Sequence, residues 1–387
     1  MPSSSLRPLH RRALAEIGCW DQISRTELAD HLELPKATVT AIVRDLIEAG
    51  LVEPAPEHDA PGRPGRPAGQ VTLSGPPPAI GVVSWSVGLL RTALATPSGR
   101  VLAQAAQPMD KQSVRVGVAA DLLDATATEA GYATSDLACV VLSIPAPYQR
   151  GVGAPARRSE HGTAWASWPT TDPVGELAER TGTQVLAEND ANLGALGEYV
   201  FGTGRGKHSL IYVKLGEFSV GAGLIVNGWL HRGVTGFAGE LAHIQVADDG
   251  PLCACGGRGC LIHSIGPGLL ATAQPAYEQP LTYPRMVAMA ADGDPGMARL
   301  LRDLGRTVGR PLADACTLLN PEAIVVDGTA GESGGFIIDG ITEAVERYAA
   351  PPAAAAVTVQ AGMASGDAEV AGAVALARRE VDLSVRA

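Results

Sequence analysis

The chain has few aromatic residues, 4% against a hydrophobic total of 46%, and its 46 glycines and 28 prolines suit a globular α/β protein rich in turns. No apolar run reaches the roughly 18 residues that would cross a bilayer, so no membrane span is expected. Positive charge is in deficit, with 30 Lys and Arg against 41 Asp and Glu, a net charge of −11. That balance argues against a chain given over entirely to nucleic acid, but an acidic body can still carry a small DNA-reading module. Cysteine is sparse at six residues, and Met1 to Arg12 contains no apolar stretch of signal-peptide length. A disulfide framework therefore has no oxidising compartment to support it, and a cytoplasmic protein is expected. Cys19, Cys139 and Cys316 sit in apolar surroundings and read as buried small hydrophobes. At 387 residues there is length for two or three domains.

The remaining three cysteines lie in GFAGELAHIQVADDGPLCACGGRGC, residues 236–260, with one imidazole close by. Cys253 and Cys255 are one residue apart, and Cys260 follows Gly256, Gly257, Arg258 and Gly259, whose glycines can turn the three sulfurs toward one point. With His243 this makes a Cys₃His set, enough to close a tetrahedral Zn²⁺ site with no position left for water. That predicts a structural metal ion. The alternative is a group of reduced, unliganded thiols, since a Cys253–Cys255 bridge would close a very small ring.

Residues 1–75 read as a winged helix-turn-helix. Leu9, Ala13 and Ile17 recur at helical spacing, which predicts a helix from Arg7 to Gly18. Ser24-Arg25-Thr26-Glu27 is a capping-box pattern opening a second helix. A third helix begins at Pro35 and ends before Gly50, with Val39, Ile42, Val43, Leu46 and Ile47 on one stripe. Lys36, Ala37, Thr38, Thr40, Ala41 and Arg44 then face outward, as in a recognition helix whose first turns meet base edges. Leu51–Glu53 and Gln70–Leu73 pair as strands around a tip holding Arg63 and Arg66, which fit a narrow minor groove. The eight Lys/Arg and ten Asp/Glu of this module give no bulk basic footprint, so a three-helix protein-interaction module is the rival reading.

Pro76-Pro77-Pro78 follows as a stiff spacer, and from residue 79 to 387 the pattern alternates short apolar strands with helices. Strands are expected at 80–83, 89–95, 138–144, 184–186, 210–215, 221–226 and 323–326, with helices at 117–131, 173–181 and 297–319. Hairpins at the start of each half predict a two-lobed α/β body with a cleft between the lobes.

Glu188-Asn189-Asp190-Ala191-Asn192, Ala195-Leu196-Gly197-Glu198, Gly239-Glu240-Leu241-Ala242-His243 and the Cys-x-Cys-Gly-x-x-Gly-Cys run together resemble the ROK family of repressors, open reading frames and sugar kinases. The resemblance is to its repressor-type branch with an N-terminal winged helix-turn-helix, and it covers nearly the whole chain. It implies an actin-like, sugar-kinase-type (ribonuclease H-like) fold for residues 79–387, a structural zinc and a homodimer. It also implies that Asp190 matches the position of the kinase general base, and that Asn189, Asp190, Glu240 and His243 converge on the vicinal hydroxyls of a sugar or related polyol effector. An Asx-rich helix cap is the plainer reading of the same Asn-Asp pair.

Departures from the family pattern weigh against catalysis. The first phosphate loop of the kinases, Asp-x-Gly-Gly-Thr, is matched here by Val83-Ser84-Trp85-Ser86-Val87-Gly88, without the carboxylate that would hold Mg²⁺. The second loop reads Glu217-Phe218-Ser219-Val220-Gly221, and the third reads Asp327-Gly328 in place of Gly-Gly. A carboxylate and a phenyl ring there would repel or obstruct a triphosphate. After the cysteines, the usual Leu-Glu is replaced by Leu261-Ile262-His263. The expectation is a homodimeric, non-enzymatic transcriptional regulator that addresses a palindromic double-stranded operator, with Asp190 a vestigial base. Its rivals are an ATP-dependent sugar kinase with a fused DNA-binding module, and an effector-independent DNA-binding scaffold.

Overall fold

The computed structural model describes residues 6–56, 69–86, 88–109, 116–151, 153, 172–217, 219–327, 335–363 and 365–383. Arg63 and Arg66 of the wing tip, and Val87, Phe218 and Gly328 of the phosphate-loop stretches, lie outside them.

The N-terminal part folds as α1 (Pro8–Gly18), β1 (Ile23–Ser24), α2 (Arg25–Leu32), α3 (Lys36–Glu48), β2 (Val52–Pro54) and β3 (Gln70–Leu73), with strands in the order β1-β3-β2. Val52 pairs with Leu73 and Ile23 with Val71, so the two expected wing strands gain a third that has no signal of its own in the sequence. Ala13, Leu14, Ile17, Leu28, Val39, Val43, Leu46 and Val71 close its core. Leu9 departs from its expected place on the inward stripe and is 44% exposed. His10 takes the inward position instead, its Nε2 3.0 Å from Asp45 on α3. Pro35 is the N-cap of α3, one residue earlier than the first-turn position expected for it.

Ser24 caps α2 as the sequence predicts. Its Oγ accepts from the Glu27 amide at 3.1 Å, while the Glu27 carboxylate accepts from the Ser24 amide at 2.9 Å. Both bonds hold amides that a helix start leaves without intrahelical acceptors. Ser24→Ala is expected to lower unfolding stability by about 1 kcal/mol, read from the urea midpoint of the far-UV signal.

The first lobe of the body contains β4 (Ile80–Ser86), β5 (Leu89–Ala95), β6 (Val101–Pro108), α4 (Val116–Glu129), β7 (Cys139–Ile144), α5 (Pro173–Thr181) and β8 (Val185–Asn189), after which α6 (Asp190–Val200) leads away. Its sheet runs β6-β5-β4-β7-β8, antiparallel across the hairpins and parallel from β4 through β7 to β8. The second lobe repeats the plan with β9 (Leu210–Leu215), β10 (Val220–Val226), β11 (Trp229–Leu230), α7 (Gly266–Ala273), α8 (Tyr283–Ala291), α9 (Pro295–Leu319), β12 (Ala323–Val326), α10 (Phe336–Tyr348), α11 (Pro351–Ala356) and β13 (Thr358–Ala361). Its sheet runs β11-β10-β9-β12-β13. The last helix, α12 (Ser365–Glu380), returns toward the first lobe.

Period-two alternation distributes the strand side chains between cores. Ile80, Val82 and Val141 face a central layer also built from Leu193 and Leu196 of α6, Tyr212 of β9 and Val374 and Leu376 of α12. Val83, Trp85, Val140 and Leu142 face the outer helices of the first lobe, and Ile211, Val213 and Leu215 face those of the second. The helices α6 and α12 thus lie between the two sheets. Gly197 and Gly372 allow this: a Cβ on Gly197 would lie 2.1 Å from the Ala368 carbonyl oxygen, and one on Gly372 1.8 Å from that of Leu193.

The N-terminal module is packed onto the body. Cys19 shares the central layer with Leu383, the Arg378 guanidinium lies 5.4 Å from the Trp20 ring centroid, and Ser98 donates to Asp21 at 3.0 Å. The proline segment follows the same surface, its Pro77 carbonyl accepting from the Tyr132 hydroxyl at 2.9 Å. Among the described residues no helix is long and apolar enough to cross a membrane.

Candidate functional site

The four metal-type ligands are brought together. The candidate donor atoms of His243, Cys253, Cys255 and Cys260 all lie within 4.8 Å of one another. His243 Nδ1 is 3.5 Å from Cys253 Sγ, and Cys255 Sγ is 3.6 Å from Cys260 Sγ. A tetrahedron with Zn–S and Zn–N bonds of about 2.3 and 2.0 Å has edges of roughly 3.5–3.8 Å, so the spacing fits that ion. Its scaffold is the glycine turn the sequence predicts. The Cys253 amide donates to Gly257 O at 2.8 Å, and the Gly259 amide to Pro251 O at 2.9 Å. Gly259 has φ +63°, and a Cβ there would meet the Ala247 carbonyl oxygen at 1.7 Å. Burial and the neighbouring His263 lower the His243 pKa, favouring the neutral imidazole that binds metals.

The other cluster lies where the lobes meet. Asp190 opens α6 and is buried, with Oδ1 accepting from the Ala191 amide at 2.8 Å. Its other oxygen accepts from Lys214 Nζ at 2.6 Å, and the same ammonium donates to Glu369 Oε1 at 2.6 Å. Glu369 Oε2 accepts from Ser84 Oγ at 2.5 Å and Ser143 Oγ at 2.9 Å. Burial pulls the Lys214 pKa down, but Asp190 and Glu369 together outweigh it and leave the pKa raised, so the ammonium stays charged. Burial raises the Asp190 pKa, with Lys214 opposing it. Ser84 lies in the stretch where a kinase would present its metal-holding carboxylate, and here its hydroxyl is committed to Glu369.

Sequence reasoning did not find Lys214 and Glu369, although each left a signal. Lys214 is a lone charge in the apolar run Leu210–Leu215, and Glu369 is one of three acids, with Asp367 and Glu380, in an alanine-rich helix. Glu188, fully buried, was matched by motif only, and its partners were not foreseen. It accepts from Arg232 Nε at 2.6 Å, from Arg150 at 3.4 Å and from Asn192 Nδ2 at 3.0 Å.

The expected effector residues are placed unequally. Asn189 is the N-cap of α6: its Oδ1 accepts from the Asn192 amide at 3.1 Å, and its Nδ2 donates to Ala146 O at 3.1 Å. The helix-cap reading therefore describes its side chain as it stands. Glu240 follows Gly239, where a Cβ would lie 2.0 Å from Ala222 O, and β10 grips this turn through the Ala222 amide to Gly239 O bond at 2.8 Å. Burial, assisted by the charge of Asp190, pushes the Glu240 pKa up to about 7. Of the residues expected to meet DNA, Lys36, Ala37, Thr40 and Arg44 are exposed and Thr38 is half-buried. Thr40 Oγ1 donates to Lys36 O at 2.8 Å, leaving the hydroxyl oxygen to accept.

The raised Glu240 pKa gives a signed prediction. The unfolded glutamate ionises near its ordinary value of 4.5, whereas the folded one ionises near 7. Folding in that window requires proton uptake, so the residue costs stability progressively from about pH 4.5 to about pH 7 and by a constant amount above. Glu240→Gln is expected to be no more stable than the wild type at pH 4.5 and increasingly more stable up to pH 7. Melting temperatures of the two proteins across pH 4.5–8 check this, and parallel curves contradict it.

The MarR family profile matches residues 4–60, the three-helix part of the front module, and the ROK family profile matches residues 91–380, most of the body. The chain belongs to the ROK family. Among relatives, it is 32% identical to the xylose repressor of Bacillus subtilis strain 168 over 181 residues, 46% of this chain and 47% of that protein. The match thus spans about half the length of that repressor. Identity to the glucokinase of Thermotoga maritima is 30%, over 61% of this chain and 80% of that one. Identity to the DNA-binding transcriptional repressor Mlc of Escherichia coli K12 is 26%, over 91% and 88%. Among solved structures, a ROK family transcriptional regulator described as a homolog of the E. coli MLC protein superposes with a TM-score of 0.71 at 22% identity, covering 97% of this chain and 98% of that one, a likeness of fold. A ROK family glucokinase from Streptomyces griseus, in complex with glucose and AMPPNP, superposes at 0.63 with 26% identity, over 78% and 99%.

Proposed function

We propose that this protein is a DNA-binding transcriptional regulator of the ROK family, whose kinase-shaped body senses a small hydroxylated ligand and transfers no phosphate. The carrying observation is the winged helix-turn-helix docked on that body, with Lys36, Ala37, Thr38, Thr40 and Arg44 turned outward along α3. No side chain caps α3, so its first amides are open to a DNA phosphate. Arg63 and Arg66 would add contacts to the adjacent minor groove. As a homodimer on a palindrome, the protein would place its half-site centres about 10 base pairs, or a multiple of that, apart.

Within the cleft, Asp190, Glu240 and His243 offer hydrogen-bonding groups to a sugar or related polyol, and Asn189 supports them by capping the helix that presents Asp190. The sugars named for the relatives, xylose and glucose, set the first compounds to screen. His243, Cys253, Cys255 and Cys260 would hold a structural zinc, whose chemistry is to cross-link the loop that carries Glu240. Loss of phosphoryl transfer is favoured by Lys214. An ammonium bonded to both Asp190 and Glu369 satisfies the carboxylate that a kinase uses as its base, and it lies beside the stretch that should hold Mg²⁺.

A coupled assay with Mg²⁺–ATP over hexoses and pentoses tests the enzyme question, alongside a thermal-shift screen of the same sugars. No turnover, together with a melting shift for one sugar that Asp190→Asn diminishes, is the expected pair of results. Turnover abolished by Asp190→Asn would overturn the non-enzymatic reading. No shift with any sugar would favour an effector-independent regulator.

A further inference from the structure

A path of contacts runs from Asp190 to the DNA-reading module. Lys214 Nζ bonds Asp190 on α6 and Glu369 on α12, each at 2.6 Å, and all three residues are buried. Glu369 also takes hydroxyls from Ser84 on β4 and Ser143 on β7, so the cluster fastens the first-lobe sheet, the second-lobe sheet and both central helices at one place. Beyond it, α6 and α12 touch backbone to backbone at Gly197 and Gly372, a fit that leaves no room for independent movement. Arg378 lies nine residues beyond Glu369 on α12, a rise of roughly 14 Å. There its guanidinium stands 5.4 Å from the Trp20 ring centroid and 5.9 Å from that of Phe201. Past the helix end, Leu383 O lies 3.5 Å from the Cβ position of Gly18, at the end of α1.

We propose that Lys214 is the positioning residue through which occupancy of Asp190 reaches the DNA-reading module. A ligand hydroxyl that donates to Asp190 competes with the ammonium for the same carboxylate. Weakening that bond leaves Lys214 to Glu369 alone, and α6 and α12, which cannot slide past each other, change their seating against β9 as one body. The far end of α12 carries Arg378 and Leu383, so the contact with Trp20 and Gly18 shifts and the two modules are re-angled. The proposal rests on the effector reading above for its ligand, while its mechanical half stands on the contacts themselves.

The test compares the full-length wild type with the double variant Lys214→Met/Glu369→Gln, which removes one charge of each sign, keeps the net charge of the cluster and leaves Asp190 as its remaining carboxylate. Leu301→Ala, a cavity in the second lobe at a buried leucine of α9, serves as a control destabilised elsewhere. Hydrogen exchange by mass spectrometry is read in peptides covering residues 14–24 and 376–383, without ligand and with D-glucose as the probe. The expected result is exchange in residues 14–24 about fivefold or more faster in the double variant than in Leu301→Ala at matched distance below the melting temperature. A parallel change in affinity for the protein's own upstream DNA is also expected. Exchange in residues 14–24 within twofold of the wild type, or equal in the two variants, overturns the proposal. A wild-type protein whose cleft peptides ignore glucose refutes glucose as the effector, while the ligand-free comparison still decides the coupling.

Discussion

Cys260→Ser is expected to abolish stoichiometric zinc binding and to lower the melting temperature steeply. Cys260 is buried, its sulfur 3.6 Å from that of Cys255, and Gly257, Gly259 and Pro251 fold the chain so that all four donors meet. An ion there would cross-link residues 243–260, whose ends are otherwise joined by backbone bonds such as that from the Leu261 amide to Ile244 O at 2.9 Å. Up to about 10 kcal/mol of local stability is at stake on the zinc-finger scale. Cys316→Ser makes the contrast: that thiol is buried among apolar residues, where burial alone pushes its pKa up to about 11. Its replacement should cost stability while leaving the metal content at one equivalent. Elemental analysis and melting curves of the two variants, beside wild type treated with a chelator, check this. Equal metal content in both variants would remove zinc from the account.

The second large effect is expected at the DNA face. Lys36→Ala/Arg44→Ala should weaken operator binding by about tenfold to a hundredfold and flatten the dependence of log affinity on log salt by about two, because each cation removed leaves one phosphate un-neutralised. The fold should be indifferent, because Lys36 is exposed and Arg44 makes only surface ion pairs, 3.6 Å to Asp45 and 3.9 Å to Glu48. Anisotropy titrations at several salt concentrations measure it. Unchanged affinity with an unchanged salt slope would move the DNA-binding face elsewhere or favour the protein-interaction reading of the front module.

Features set by neighbours in the chain were legible in the sequence. Ser24 and Glu27 cap a helix because both groups lie within three residues, and the cysteine loop turns where Gly256 and Gly259 take positive φ. The continuous apolar run of Leu210 to Leu215 corresponds to a strand with two buried faces. What escaped was set by distant partners. Edge strands β6 and β13 have weak local patterns and exist because β5 and β12 offer hydrogen-bonding edges. Leu9 looked like a core residue by spacing, but His10 occupies that face because Asp45, thirty-five residues away, receives its ring nitrogen. The same limit hid the Lys214–Glu369 pair, separated by 155 residues. A lone lysine at a buried parity of an apolar strand was the available clue, since burial at such a site requires a carboxylate from somewhere.

Footprinting of the full-length protein on its own upstream DNA, at a salt concentration of about 150 mM where non-specific attraction is largely screened, bears most directly on the central claim. The account predicts a protected palindrome whose half-sites lie one helical turn or a multiple apart, with protection altered by the sugar that binds the cleft. Binding that ignores sequence, together with ATP-dependent phosphorylation of that sugar, would contradict it.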